Sequence, residues 1–168
     1  MKVLSLIFLA LALTVCRPAL AESVPPTAIS LGVLLPTDSD TRHRTGSAML
    51  MGEVRYALPA LATATARTVL SGTAATSNRA YEGNTIVSGT VGEVFSLTSG
   101  QSPLAAQSVY VGAGAGIYGM DLRFVHAFAR VGGYGEIGYN VSSELFANAQ
   151  YRIVDRGDAA SLTLGVRF

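Results

Sequence analysis

The chain has 168 residues, 49% of them hydrophobic and only 14% charged, with a formal net charge of +1. That length gives one domain, and the near-neutral charge excludes the basic footprint of a nucleic-acid or polyphosphate binder. A single cysteine, Cys16, excludes an internal disulfide or a thiolate cluster, and His43 and His126 lack the spacing of a zinc site, so no metal or cofactor is expected.

The chain opens with an export signal. Lys2 is a short positive head, residues 3–15 are apolar apart from Ser5 and Thr14, and Ala19-Leu20-Ala21 fits the small-x-small cleavage rule. The apolar run is shorter than the ~20 residues that a membrane-spanning helix needs. Residues 1–21 are therefore read as a cleaved signal peptide and residues 22–168 as the mature domain. The rival reading lipidates Cys16, but Thr14 and Val15 before it fit a lipoprotein signal poorly.

After residue 21 there is no 18-residue apolar run and no helical stripe; hydrophobic residues recur with period two, the strand signature. Eight strands are expected, at about residues 27–36, 46–58, 61–71, 85–97, 107–119, 129–141, 143–154 and 159–168. In the second, Leu50, Gly52, Val54 and Tyr56 share one face, and Met49, Met51, Glu53 and Arg55 the other. In the third, Ala62, Ala64, Ala66, Thr68 and Leu70 oppose Thr63, Thr65 and Arg67. The fourth is irregular, because Glu93 falls on the face of Val87, Val91 and Phe95; a β-bulge would repair it. In the fifth, Tyr110 and Tyr118 share a face with Gly112, Gly114 and Gly116, and either face suits the outside. In the last three, Tyr134, Glu136 and Asn140, then Glu144 to Arg152 at alternate positions, then Ser161, Thr163 and Arg167 form the polar side. Tight turns near Pro59-Ala60 and Ser142 alternate with longer polar connections at residues 37–45 and 72–84. Residues 98–106 break the rule, being long where a short turn is expected.

An exported sheet with one continuous apolar face must bury it. In lipid every backbone N–H and C=O must also be paired, which forces the sheet to close. The expected fold is all-β, an eight-stranded antiparallel transmembrane β-barrel with up-and-down topology, in an outer membrane. Glu53, Arg55, Arg67, Glu136, Glu144 and Arg152, with Gln150, then line the lumen and pair across it, since eight strands leave an interior that side chains just fill. Tyr56, Phe95, Tyr139 and Phe168 end the down-going strands, and Tyr151 lies near the opposite interface, where aromatic girdles belong. A soluble exported sheet, with the faces reversed, remains the alternative.

The terminal run Leu162-Thr163-Leu164-Gly165-Val166-Arg167-Phe168 resembles the C-terminal assembly signal of bacterial outer-membrane proteins, carried by Leu162, Leu164, Val166 and Phe168. Residues 131–168, with Gly132-Gly133-Tyr134-Gly135-Glu136 and Leu145-Phe146-Ala147-Asn148, resemble the last hairpin of the small OmpA-, OmpX- and OmpW-type barrels. The resemblance implies a monomer without a cofactor, delivered by periplasmic chaperones and the barrel-assembly machinery. Its surroundings would be outer-membrane lipid and lipopolysaccharide. No peptidoglycan-binding domain is expected after Phe168, so an anchor role of the full OmpA kind is not implied.

The expected function is a structural or surface-interaction role with a packed lumen. The alternative is a narrow pore or an OmpW-like conduit for small or apolar solutes, hinted at by Met49 and Met51. A lipid-modifying enzyme has only His126 in its favour, with no serine beside it and no G-x-S-x-G elbow, so no catalytic residue is expected. Arg156-Gly157-Asp158 matches an integrin-type tripeptide but is equally ordinary hairpin chemistry. Asn140-Val141-Ser142 matches a glycosylation sequon by coincidence.

Overall fold

A computed structural model describes residues 26–58, 63, 65–77, 84–121 and 128–168; residues 1–21 read as a signal peptide, with Cys16, the expected turn at Pro59-Ala60 and His126, lie outside the described residues. The elements are β1 (Thr27–Pro36), α1 (Ser39–Thr45), β2 (Met49–Ala57), β3 (Ala66–Ser77), β4 (Asn84–Ser96), β5 (Val109–Asp121), β6 (Phe128–Asn140), β7 (Leu145–Val154) and β8 (Ala159–Arg167). Each strand pairs antiparallel with its chain neighbour, and β8 pairs with β1 from Ala28↔Arg167 to Pro36↔Ala159, closing an up-and-down barrel. Closure leaves no open sheet edge.

The strands are strongly tilted. From Thr68 the pairing runs through Glu93, Ala113, Gly135, Tyr151 and Ala160 to Leu35. That one circuit starts near the end that carries the termini, here called proximal, and finishes near the opposite, distal end.

Alternation places the apolar face outside. Leu31, Leu50, Ile117, Val131, Ile153 and Leu164 all point outward and are exposed, whereas Glu53, Arg55, Arg67, Glu136 and Arg152 are buried. The soluble alternative required the reverse.

Four local expectations are corrected. β3 begins at Ala66 and runs to Ser77, several residues later than expected. Thr73-Ala74-Ala75-Thr76-Ser77 are all small or polar and show no apolar alternation, so the strand's inward Thr73 and Ser77 read as loop. No bulge occurs in β4: its registers with β3 and β5 are continuous, so Glu93 stays on the outward face. The length alternation of the connections also fails. The proximal connections are residues 58–65, 97–108 and 141–144, and distal ones include the short 155–158. Finally, residues 39–45 form a helix where a loop was expected. The open facing of β5 is settled, with Tyr110, Tyr118 and Met120 inward.

Candidate functional site

The lumen is the site the fold builds, and it is layered along the barrel axis. At the distal end Leu34, Met49, Met51, Ile86, Tyr118 and Met120 form an apolar layer with Phe128 packed against it. The two methionines noted in the sequence belong here. Above this layer α1 crosses the mouth. Asp38 caps it by accepting from Thr41 N at 2.8 Å, and Thr41 Oγ1 donates to Arg156 O at 2.8 Å. Asn84 Nδ2 donates to Arg44 O at 3.1 Å, and Thr37 N to Asp158 O at 2.8 Å. Replacing Asp38 with Ala should weaken this helix by about 1 kcal/mol, seen as faster amide exchange at Thr41 with the strand amides unchanged.

The middle layer is polar. Arg55 Nη2 donates to Glu136 Oε1 at 2.5 Å, and Arg55 Nε lies 3.9 Å from Glu53 Oε1. Ser30 Oγ donates to Glu53 Oε2 at 3.2 Å and Asn148 Nδ2 to Glu136 Oε2 at 2.8 Å. Cross-strand hydroxyl pairs Ser71–Thr90 and Thr73–Ser88, each at 2.6 Å, line the adjacent wall. Arg152, 2% exposed, sits at the border with the distal layer. It donates to Gln150 Oε1 at 2.9 Å and Met51 Sδ at 3.3 Å, with its guanidinium 5.9 Å from the Tyr118 ring centroid.

At the proximal end Ala57, Val69, Val94, Tyr110 and Leu104 form a second apolar cluster. Leu104 comes from the connection 97–108, so the segment that was too long for a turn is a plug folded into the mouth. Asn140 holds it, donating through Nδ2 to Pro103 O at 2.8 Å and to Ser108 Oγ at 2.7 Å. Arg167 in turn donates to Asn140 Oδ1 at 2.5 Å and lies 4.6 Å over the Phe146 ring. A cavity of about 30 Å³ remains between Arg55, Leu104, Tyr110, Phe146 and Arg167, room for little more than a water molecule or two.

Glycines make this packing possible. A Cβ on Gly138 would overlap the Tyr110 ring, one on Gly92 or Gly114 would meet Tyr134, and one on Gly165 would meet Phe146. The large side chains of one strand nest over the glycines of another.

Of the six expected lumen charges, the structure brings Glu53, Arg55 and Glu136 together in one network and places Arg152 beside it. Arg67 is buried near the proximal end and donates to the backbone oxygens of Thr63 and Ala66. Glu144 is not a lumen residue. β7 starts only at Leu145, and Ser142 Oγ accepts from Glu144 N at 3.2 Å and Leu145 N at 3.0 Å, a turn that leaves Glu144 exposed. Tyr110, Tyr118, Leu104 and Arg167 were not among the candidates; the signal was the run of alternate glycines between the two tyrosines of β5. The Arg156-Gly157-Asp158 tripeptide is built into the β7–β8 turn. Asp158 Oδ1 accepts from Val154 N at 2.8 Å, Arg156 has φ 58°, and Gly157 is buried under Met120. Leu162, Leu164 and Val166 of the terminal signal face outward, and Phe168 N donates to Thr27 O at 2.9 Å across the seam.

No protein-family model matches the sequence, and no curated protein matches it. Solved structures do match the fold. Neisserial surface protein A superposes with a TM-score of 0.56 at 12% identity, covering 87% of this chain and 98% of that one. The Yersinia pestis outer-membrane protein Ail in a phospholipid bilayer nanodisc gives 0.53 at 12% identity, covering 86% and 99%. The N-terminal β-barrel domain of Pseudomonas aeruginosa OprF gives 0.50 at 12% identity, covering 87% and 100%. The chain thus has the fold of the small bacterial outer-membrane β-barrels.

Proposed function

We propose that this protein is a monomeric outer-membrane barrel with a structural and surface-presenting role, its lumen closed to solutes. The observation that carries this reading is the polar middle layer held between two apolar layers, each with its own cover: α1 distally and the Leu104 plug proximally. An aqueous path needs continuous polar lining, and eight strands leave little width for one. In this reading residues 1–21 direct export and are removed, and the terminal signal hands residues 22–168 to the barrel-assembly machinery. The proximal end then faces the periplasm. The distal surface presents the exposed Arg42, Arg44 and Arg156 beside the exposed Asp40, Asp121 and Asp155, a mixed-charge rim whose arginines are suited to the phosphate groups of lipopolysaccharide.

Two measurements test this. The membrane-extracted protein is run in detergent with and without boiling, and reconstituted protein is examined for conductance across a planar bilayer. A heat-dependent mobility shift with no conductance is the expected result. No shift overturns the membrane barrel; stepwise conductance overturns the closed lumen. Leu104→Ser should still not conduct, because the distal layer remains.

A further inference from the structure

Glu93 is a carboxylate on the membrane-facing wall, where acidic groups are costly. The unbroken registers of β4 leave it no route inward. It lies one outward position above Phe95, at the proximal interface, and is half-buried, accepting from Thr68 Oγ1 at 3.3 Å. Ala113 and Gly135, its neighbours along the pairing row, are small and leave one flank open.

A second feature lies distal to it on the same wall. Gly72 on β3 and Gly89 on β4 pair with each other two outward positions above the Thr68–Glu93 pair, roughly 13 Å along the strands. Gly72, with Gly52, Ala74, Leu31 and Val54, lines an outward groove of about 420 Å³, which Gly89 adjoins through its pairing with Gly72, and a Cβ on any of the three glycines would meet nothing nearer than 3.8 Å. None of the three has positive φ. Neither backbone conformation nor close packing therefore demands glycine there, unlike the lumen glycines.

We propose that Thr68, Glu93 and this groove form a binding site for one phospholipid with a protonated primary-amine headgroup. The ammonium sits against the Glu93 carboxylate at the interface, and an acyl chain passes Leu70 and Val91 into the groove. Charge complementarity selects this occupant. Among the described residues no outward-facing strand position carries Arg or Lys, so the wall of a second copy offers Glu93 no cation. The inference rests on the membrane orientation proposed above.

The test uses the whole barrel reconstituted in phosphatidylcholine vesicles, with trace chain-spin-labelled phosphatidylethanolamine or phosphatidylcholine. The fraction of motionally restricted label is read by electron paramagnetic resonance. Wild type should restrict the ethanolamine lipid about threefold more than the choline lipid, Glu93→Gln should abolish the preference, and Gly72→Leu, which fills the groove, should lower restriction of the ethanolamine lipid. Equal restriction in the wild type, or a preference that survives Glu93→Gln, overturns the site. The boiling shift, recorded on the same samples, separates failure of this site from failure of the barrel to insert.

Discussion

Replacing Glu136 with Ala should lower the unfolding free energy by about 3–5 kcal/mol, whereas Glu144→Ala should change it by less than about 0.5 kcal/mol. Glu136 accepts from Arg55 and Asn148 on different strands, one to each carboxylate oxygen. Its loss leaves a buried guanidinium with only the longer contact to Glu53, 3.9 Å away. Arg55→Leu should be the most damaging change in the layer, because it strands two buried carboxylates at once. Urea titrations in detergent micelles, followed by the boiling-sensitive mobility shift, give the ranking; the chain contains no tryptophan, so tryptophan emission offers no readout. Equal effects at Glu136 and Glu144 would remove the middle layer from any account of stability.

The second large effect separates two glycines three residues apart in β6. Gly138→Ala should cost about 1–3 kcal/mol, because its Cβ collides with Tyr110 inside a filled lumen. Gly135→Ala should be within about 0.5 kcal/mol of wild type, since nothing lies within 4 Å of its outward Cβ position. The three atoms nearest a Cβ at position 138 all belong to the Tyr110 side chain, so Tyr110→Leu should relieve much of the Gly138→Ala penalty. The double mutant is then more stable than the sum of the single effects allows. Strict additivity would mean that Tyr110 and Gly138 do not share one space.

Strand number, closure and most facings were legible because alternation survives wherever one face meets lipid. β1 matched residue for residue, and Glu53, Arg55, Glu136 and Arg152 went to the correct side from parity alone. Position along the strand was less legible. Before β3, alanine and threonine already alternate from Ala62 to Thr65 and mark no boundary at Ala66, while its last residues, Thr73 to Ser77, are small and polar and look like loop. The seven-residue α1 is too short to show a period; its trace was only Asp38 at one end and Gly46, at φ 91°, at the other. Glu144 kept the right parity but lay beyond the strand end, and parity says nothing about where a strand stops. The plug was invisible because a loop folded into a barrel mouth has no pattern of its own.

The plug is also tied to the closure of the barrel itself. The plug is held by Asn140 on β6, which donates to Pro103 O and Ser108 Oγ on either side of Leu104, and Asn140 is in turn engaged by Arg167, the final residue of β8. β8 thus supplies both the seam with β1 and the outermost tie on the plug. A chain truncated before Arg167 would lack both the end of the seam and that tie. Opening the seam would therefore also loosen the plug, so the barrel wall and its proximal mouth stay shut together.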